Sequence, residues 1–154
     1  MKNFMNKPSV VVETGGIKTP IREYMATNLI TFTPDSNVMD VVNALLEKRI
    51  TGAPVLNNRK EVVGMIDDKT CLKLLVATEY YNSPLSEQTV SNYMDDVLMT
   101  VKEDISISEA ANIFLETKYK RLIVVDQNGK LAGQISRRDI LRAIRDINTI
   151  SWKK

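Results

Sequence analysis

Apolar positions along this chain fall into two runs with one and the same pattern. The first opens with the short stretch Leu29-Ile30-Thr31-Phe32. Val38, Val41, Val42, Leu45 and Leu46 follow at the i, i+3, i+4, i+7, i+8 spacing of a helix with one buried face. Two short apolar runs come next, Ala53-Pro54-Val55-Leu56 and Val62-Val63-Gly64-Met65-Ile66, separated by the polar turn Asn57-Asn58-Arg59-Lys60. A last helix is predicted over residues 68–78. The second run repeats this order. Val97-Leu98-Met99-Thr100-Val101 precedes a helix with Ile107, Ala110, Ala111, Phe114 and Leu115 at the same spacing. Residues 121–125 and 131–135 then flank Asp126-Gln127-Asn128-Gly129, and Asn-Gly between apolar runs is a strong hairpin signal. Ile140, Leu141, Ile144 and Ile147 mark a closing helix over residues 137–148.

The two runs align without a gap at a constant offset of 69 over residues 21–75 and 90–144. Tyr24-Met25 falls on Tyr93-Met94, Thr31 on Thr100, Asp35 on Asp104, Asn43 on Asn112 and Leu46-Glu47 on Leu115-Glu116. Val55 falls on Val124, Gly64 on Gly133, Ile66 on Ile135 and Leu72 on Leu141. A fixed period of this kind marks a duplicated structural unit. Ser106 and Glu109 have capping-box spacing at one helix start, with Asn37 and Asp40 a weaker version at the other. The pattern divides the chain into an N-terminal arm (1–20), a first motif (21–78), a linker (79–89), a second motif (90–148) and a polar tail (149–154). The expected fold is mixed α/β (α+β): two pseudo-symmetric motifs, each a small mixed sheet with two helices. One motif is too short to bury both faces of its sheet, so the two are expected to pack sheet to sheet, sharing a core and leaving two equivalent clefts.

Composition narrows the chemistry. The chain has 154 residues, 44% of them hydrophobic and 26% charged, as in ordinary globular domains. It contains no histidine, which removes Ser-His-Asp and Cys-His catalysis and most transition-metal sites. One cysteine, Cys71, can form no internal disulfide, which fits a reducing cytoplasm. No apolar run approaches the roughly 20 residues that span a membrane, and no signal-peptide pattern follows the first lysines. A net charge of +2 gives no argument for nucleic acid.

The sharpest local feature is Gly133-Gln134-Ile135-Ser136-Arg137-Arg138-Asp139-Ile140-Leu141. Structurally, Ser136 reads as a helix N-cap and Asp139 as the completion of a capping box. The same geometry suits a ligand: free N–H groups at a helix start attract an anion, and a hydroxyl and a carboxylate one turn apart can hold a ribose. Arg137 and Arg138 stand in a first turn, where each cation costs about 0.3–1 kcal/mol that a bound anion would offset. A second basic group, Lys118-Tyr119-Lys120-Arg121, enters a strand; it is either a solvated turn or a place for phosphate oxygens. Asp67-Asp68 is weak evidence for a hard-cation site.

The repeat resembles a tandem pair of CBS (cystathionine-β-synthase) motifs, a Bateman module. The residues that carry the resemblance are the paired Tyr-Met openings, Thr-Gly-Ala-Pro-Val-Leu at 51–56, Lys-Arg-Leu-Ile-Val-Val-Asp at 120–126 and Gly-Gln-Ile-Ser-Arg-Arg-Asp-Ile-Leu at 133–141. The resemblance covers residues 21–147. It implies an adenosine-containing ligand (AMP, ADP or ATP) between the motifs, with Asp139 on the ribose and Ser136 near ribose or phosphate. Arg121 and Lys120 would reach phosphate, aided by Arg137 and Arg138, and Thr100 and Val101 would line the adenine. Ile123 stands where the family usually has proline. In copy one the hydroxyl and ribose positions are Asp67 and Thr70, and Thr51-Gly52 replaces the basic pair. One competent site governed by copy two, and one degenerate site, are therefore expected. The implied function is a stand-alone regulatory sensor, not an enzyme, requiring no cofactor, forming a flat homodimer and acting on another, regulated chain. Alternatives are an oligomerisation module without a ligand, or a sensor of S-adenosylmethionine, NAD or a cyclic dinucleotide.

Overall fold

A computed structural model describes residues 17–82, 84–97 and 99–152. The elements are α1 (Val38–Lys48), β1 (Gly52–Leu56), β2 (Val62–Asp67), α2 (Asp68–Cys71), α3 (Lys73–Tyr81), β3 (Thr100–Lys102), α4 (Ile107–Glu116), β4 (Arg121–Val125), β5 (Leu131–Ser136) and α5 (Arg137–Trp152). Short 3-10 turns at Ile21–Glu23 and Val90–Asn92 open the two copies. The fold is mixed α+β, with one sheet of order β1-β2 and another of order β3-β4-β5.

Both predicted helix starts form, each with its N-cap side chain bonded to a first-turn N–H. Asn37 accepts from the Met39 N–H at 2.8 Å, and Ser106 Oγ accepts from the Glu109 N–H at 3.0 Å. Three boundaries differ. The helix predicted over 68–78 is broken at Leu72 and resumes to Tyr81, inside the predicted linker. The last helix runs on to Trp152, through part of what reads as a tail, because its hydrogen-bonded ladder continues with no proline or glycine to stop it. The apolar stretch at 29–32 makes only a single parallel bridge, Phe32 to Val55, whereas its counterpart forms a true strand with Thr100, Val101 and Lys102 registered parallel to Ile123, Val124 and Val125. Of the predicted arm, Ile17 and Thr19 accept from the Ser108 and Ile107 N–H groups; residues 1–16 lie outside the described residues, as do Ser83, Leu98 and the last two lysines.

The chain forms two compact units, and each is assembled from non-consecutive segments. Among the described residues, the first comprises 17–27, 100–128 and 132–152, and the second comprises those within 28–99 together with 129–131. Thus the opening turn of copy one belongs with the sheet of copy two, and the reverse. In the first unit Ile21 donates to the Ile105 carbonyl at 2.8 Å, and Ala26 exchanges both backbone hydrogen bonds with Gln134 at 2.8 and 3.0 Å. In the second, Asp95 exchanges both with Met65 at 2.8 Å. Glycine makes these approaches possible. A Cβ on Gly133 would stand 2.5 Å from the Ala26 carbonyl oxygen, and one on Gly64 would stand 2.5 Å from Met94 Sδ.

Each unit has its own buried cluster. Ile21, Val101, Ile107, Ala110, Phe114, Leu122, Val124, Ile135 and Ile140 form one, and Val38, Val41, Leu45, Val55, Ile66, Leu74, Val90 and Tyr93 belong to the other. The opening residues Ile21 and Val90 are fully buried in them. At roughly 1.5–3 kcal/mol per buried aliphatic side chain, these anchors carry much of the energy that holds the opening turns in place.

Candidate functional site

Strand alternation decides which side chains of the β3-β4-β5 sheet face away from its core. Val101, Leu122, Val124 and Ile135 all belong to the buried cluster. Successive strand residues point to opposite faces, so Thr100 on β3, Arg121 and Ile123 on β4, and Gln134 and Ser136 on β5 share the other face. β3 runs parallel to β4. β4 and β5 are neighbours joined by a short turn. The starts of β3 and β4 and the end of β5 therefore meet at one end of the sheet, where α5 begins.

Ser136 and Asp139 form the predicted box at that helix start. The Ser136 backbone N–H and its hydroxyl donate to Asp139 Oδ2 at 2.8 and 3.0 Å, and the Asp139 N–H reaches Ser136 Oγ at 3.4 Å. Asp139 is only 8% exposed. Its second oxygen is engaged as well, because Arg142 Nη1 donates to Oδ1 at 2.8 Å. A carboxylate offers about four acceptor positions. Three are occupied here, which leaves room on Oδ1 for one further donor, such as a single ribose hydroxyl.

Arg142 does more than hold Asp139. Its Nη2 donates to the Tyr24 carbonyl at 2.9 Å, and the Tyr24 hydroxyl donates to Asp146 Oδ2 at 2.6 Å. That hydrogen bond, then burial and the Asp146 charge, raise the phenol's pKa above its ordinary value. The face of α5 carrying Asp139, Arg142 and Asp146 thus clamps the opening segment of copy one. Neither the Tyr24 hydroxyl nor Arg142 stands out in the sequence as a site residue; the i, i+3, i+7 spacing of the three charges on α5 is the available signal.

The basic residues are arranged less tightly. Arg121 is half-buried, while Lys120, Arg137 and Arg138 are exposed. Arg137 Nη2 donates to the Tyr119 carbonyl at 3.3 Å, tying the 117–120 loop to the start of α5. Thr100 is exposed, but the Val101 side chain is 7% exposed and lies in the core, so only its backbone can meet a ligand. Gln134 was not singled out from the sequence. A polar residue in an apolar strand, where copy one has Met65, was the sign.

In copy one the equivalent box has its roles reversed. Asp67 Oδ1 accepts from the Thr70 N–H at 2.8 Å, and Thr70 Oγ1 accepts from the Asp67 N–H at 2.9 Å. The buried position held by a carboxylate in copy two is thus held by a hydroxyl, Thr70, at 4% exposure. Cys71 follows it; burial first, then Asp67 and Asp68, raise its thiol pKa. A separate open cavity of about 490 Å³ lies at the far end of β3 and β4, lined by Arg22, Lys102, Glu103, Asp104, Val125, Asp126 and Gln127. None of the predicted site residues lines it.

Residues 21–77 and 90–146 each match the CBS domain family. The chain belongs to that family, as a tandem pair. It is similar to the chloroplastic CBS domain-containing proteins CBSX1 and CBSX2 of Arabidopsis thaliana, with 31% identity over 74% of this chain and 28% over 92%. It is also similar to inosine-5'-monophosphate dehydrogenase of Aquifex aeolicus, with 30% identity over 77% of this chain. The chain spans 58%, 69% and 23% of those three proteins' lengths. The crystal structure of CBSX2 in complex with AMP superposes with a TM-score of 0.73 and 31% identity, covering 84% of this chain and 98% of that one. No helix among the described residues is long and apolar enough to cross a membrane.

Proposed function

We propose that this chain is a regulatory, non-catalytic sensor that binds an adenine nucleotide (AMP, ADP or ATP) at the copy-two site and acts on another protein. The observation that carries this reading is the shared sheet end. Thr100, Arg121 and Ser136 lie on one face beside a buried Asp139 that keeps one acceptor position open. In this reading Asp139 takes one ribose hydroxyl, Ser136 and the start of α5 face the phosphate side, and Arg121 and Lys120 supply charge, supported by Arg137 and Arg138. AMP bound to CBSX2, at 31% identity, supports the ligand class. Copy one lacks the carboxylate and the basic pair, so its equivalent position does not serve the same ligand.

A thermal-shift titration with AMP, ADP, ATP, NAD and S-adenosylmethionine tests this. A ligand at 100 times its Kd adds about 2.7 kcal/mol of stability. Asp139→Asn, which keeps the cap's shape but removes the charge, is expected to abolish the shift, and Thr70→Ala is expected to keep it. Equal losses in both variants would refute the one-site reading; no shift with any nucleotide would refute the sensor itself.

A second reading, association into a homodimer, has its own observation. Leu46, Leu72 and Leu75 are 73%, 64% and 66% exposed, and their repeat counterparts Leu115, Leu141 and Ile144 are 75%, 61% and 54% exposed. The same three positions present apolar surface in both copies. Light scattering is expected to give a dimer that Leu141→Glu with Ile144→Glu dissociates; a monomer at every concentration of the unaltered chain would refute it.

A further inference from the structure

Gln134 has a buried amide oxygen, Oε1, with no hydrogen-bond partner, the single such side-chain atom among the described residues. Leaving a buried acceptor unmet forfeits its bonds to water with nothing in exchange, and native structures rarely tolerate one without a use. Its position suggests the use. Gln134 lies two residues before Ser136 on β5 and on the same sheet face as Thr100, Arg121 and Ile123. A two-residue step along a strand is about 6.6–6.8 Å. Added to the reach of a glutamine side chain, that spans a ribose held at Ser136 and Asp139 and the far edge of its base. Its backbone is fixed by both hydrogen bonds to Ala26, so the side chain is carried on a rigid strand. The counterpart in copy one, Met65, fills a similar volume with no polar atom and is registered opposite Pro54, the equivalent of Ile123. Packing therefore does not require an amide at this position.

We propose that Gln134 is the base-reading residue of the copy-two site, its Oε1 accepting from the exocyclic amine of a 6-aminopurine. This rests on the nucleotide reading above and adds the specificity element to it. Ser136 and Asp139 recognise the sugar and are indifferent to the base. Gln134 makes the site select an amino purine over one lacking the amine, because an amide oxygen accepts from that amine and has nothing to accept from in its absence.

The test is a binding cycle by calorimetry with AMP and purine riboside 5'-monophosphate, which differ only by the amine, on the unaltered chain and on Gln134→Met. The unaltered chain is expected to prefer AMP by about tenfold, equivalent to about 1.4 kcal/mol. In Gln134→Met, AMP is expected to fall to the affinity of the amine-free ligand, which itself changes less than about twofold. Equal AMP preference in both proteins would overturn the proposal while leaving the nucleotide site intact. Inosine monophosphate binding as tightly as AMP to the unaltered chain would overturn it too, since the amide would then read either edge. Failure of the unaltered chain to bind any of the three sinks the underlying sensor reading instead. The ligand-free melting temperature separates a structural role. Gln134→Met is expected to leave it unchanged or raise it, and a clear fall would mean that the amide serves the fold.

Discussion

Replacing Gly133 and Gly64 with alanine, one at a time, probes the exchange of opening segments, because the two glycines hold the same place in the repeat and meet equivalent neighbours at different distances. A Cβ on Gly133 would lie 2.5 Å from the backbone oxygen of Ala26 and 2.8 Å from Met25 Sδ. The oxygen cannot rotate away, since Ala26 is pinned to Gln134 by two backbone hydrogen bonds. The strands must separate there, straining both bonds and lifting the segment that anchors Ile21. Overpacking against a fixed group costs about 2–3 kcal/mol. On Gly64 the same Cβ meets Met94 Sδ at 2.5 Å, but a thioether on a flexible chain can swing aside, leaving the Asp95 carbonyl at 3.1 Å. That cost is about 1 kcal/mol. For a chain of this size each kcal/mol moves Tm by about 2–4 °C. Thermal denaturation followed by circular dichroism is expected to show Gly133→Ala falling by about 4–12 °C and Gly64→Ala by about 2–4 °C. Equal shifts, or the opposite order, would refute the claim that backbone contact between Ala26 and Gly133 fixes the copy-one opening to the copy-two sheet.

Three further outcomes are expected. The Tyr24 hydroxyl bond to Asp146 raises the phenol pKa in the folded state above its ordinary value of about 10, so its contribution is complete below pH 10 and is lost as pH rises through the higher folded value. Tyr24→Phe should thus cost about 1 kcal/mol at pH 7 and progressively less above pH 10; a gap independent of pH in urea titrations would contradict this. Cys71, with its thiol pKa raised by burial and by Asp67 and Asp68, is expected to react with iodoacetamide more slowly than free cysteine at pH 8, and Asp68→Asn should speed it; a rate equal to the free thiol's would count against the burial. Lys60 holds a left-handed φ of 66° where copy two has Gly129 at 78°. Lys60→Gly should therefore raise stability by about 0.5–1 kcal/mol, read in the same thermal assay, and a fall in Tm would contradict the strain.

The duplication, the family, the order of helices and strands, and the cap at Ser136 and Asp139 are all legible in the linear chain. These are written in local periodicity and in short-range spacing, which a linear reading can see. Neighbouring positions in the chain also sufficed to show that copy one lacks the carboxylate and the basic pair. Which pieces make a compact unit is set by long-range packing. A consecutive division into two motifs is the natural linear reading, but Ile21 and Val90 are buried in the unit built mainly from the other copy. That choice depends on backbone approach at Gly64 and Gly133, which the sequence records merely as two matched glycines. Tertiary contact likewise brought Arg142 to the Tyr24 carbonyl, 118 positions away, and put Val101 in the core while Thr100 faces outward. Gln134 illustrates the boundary most plainly. Its polarity in an apolar strand is visible in the chain, but the burial of its amide oxygen without a partner appears only in the folded structure.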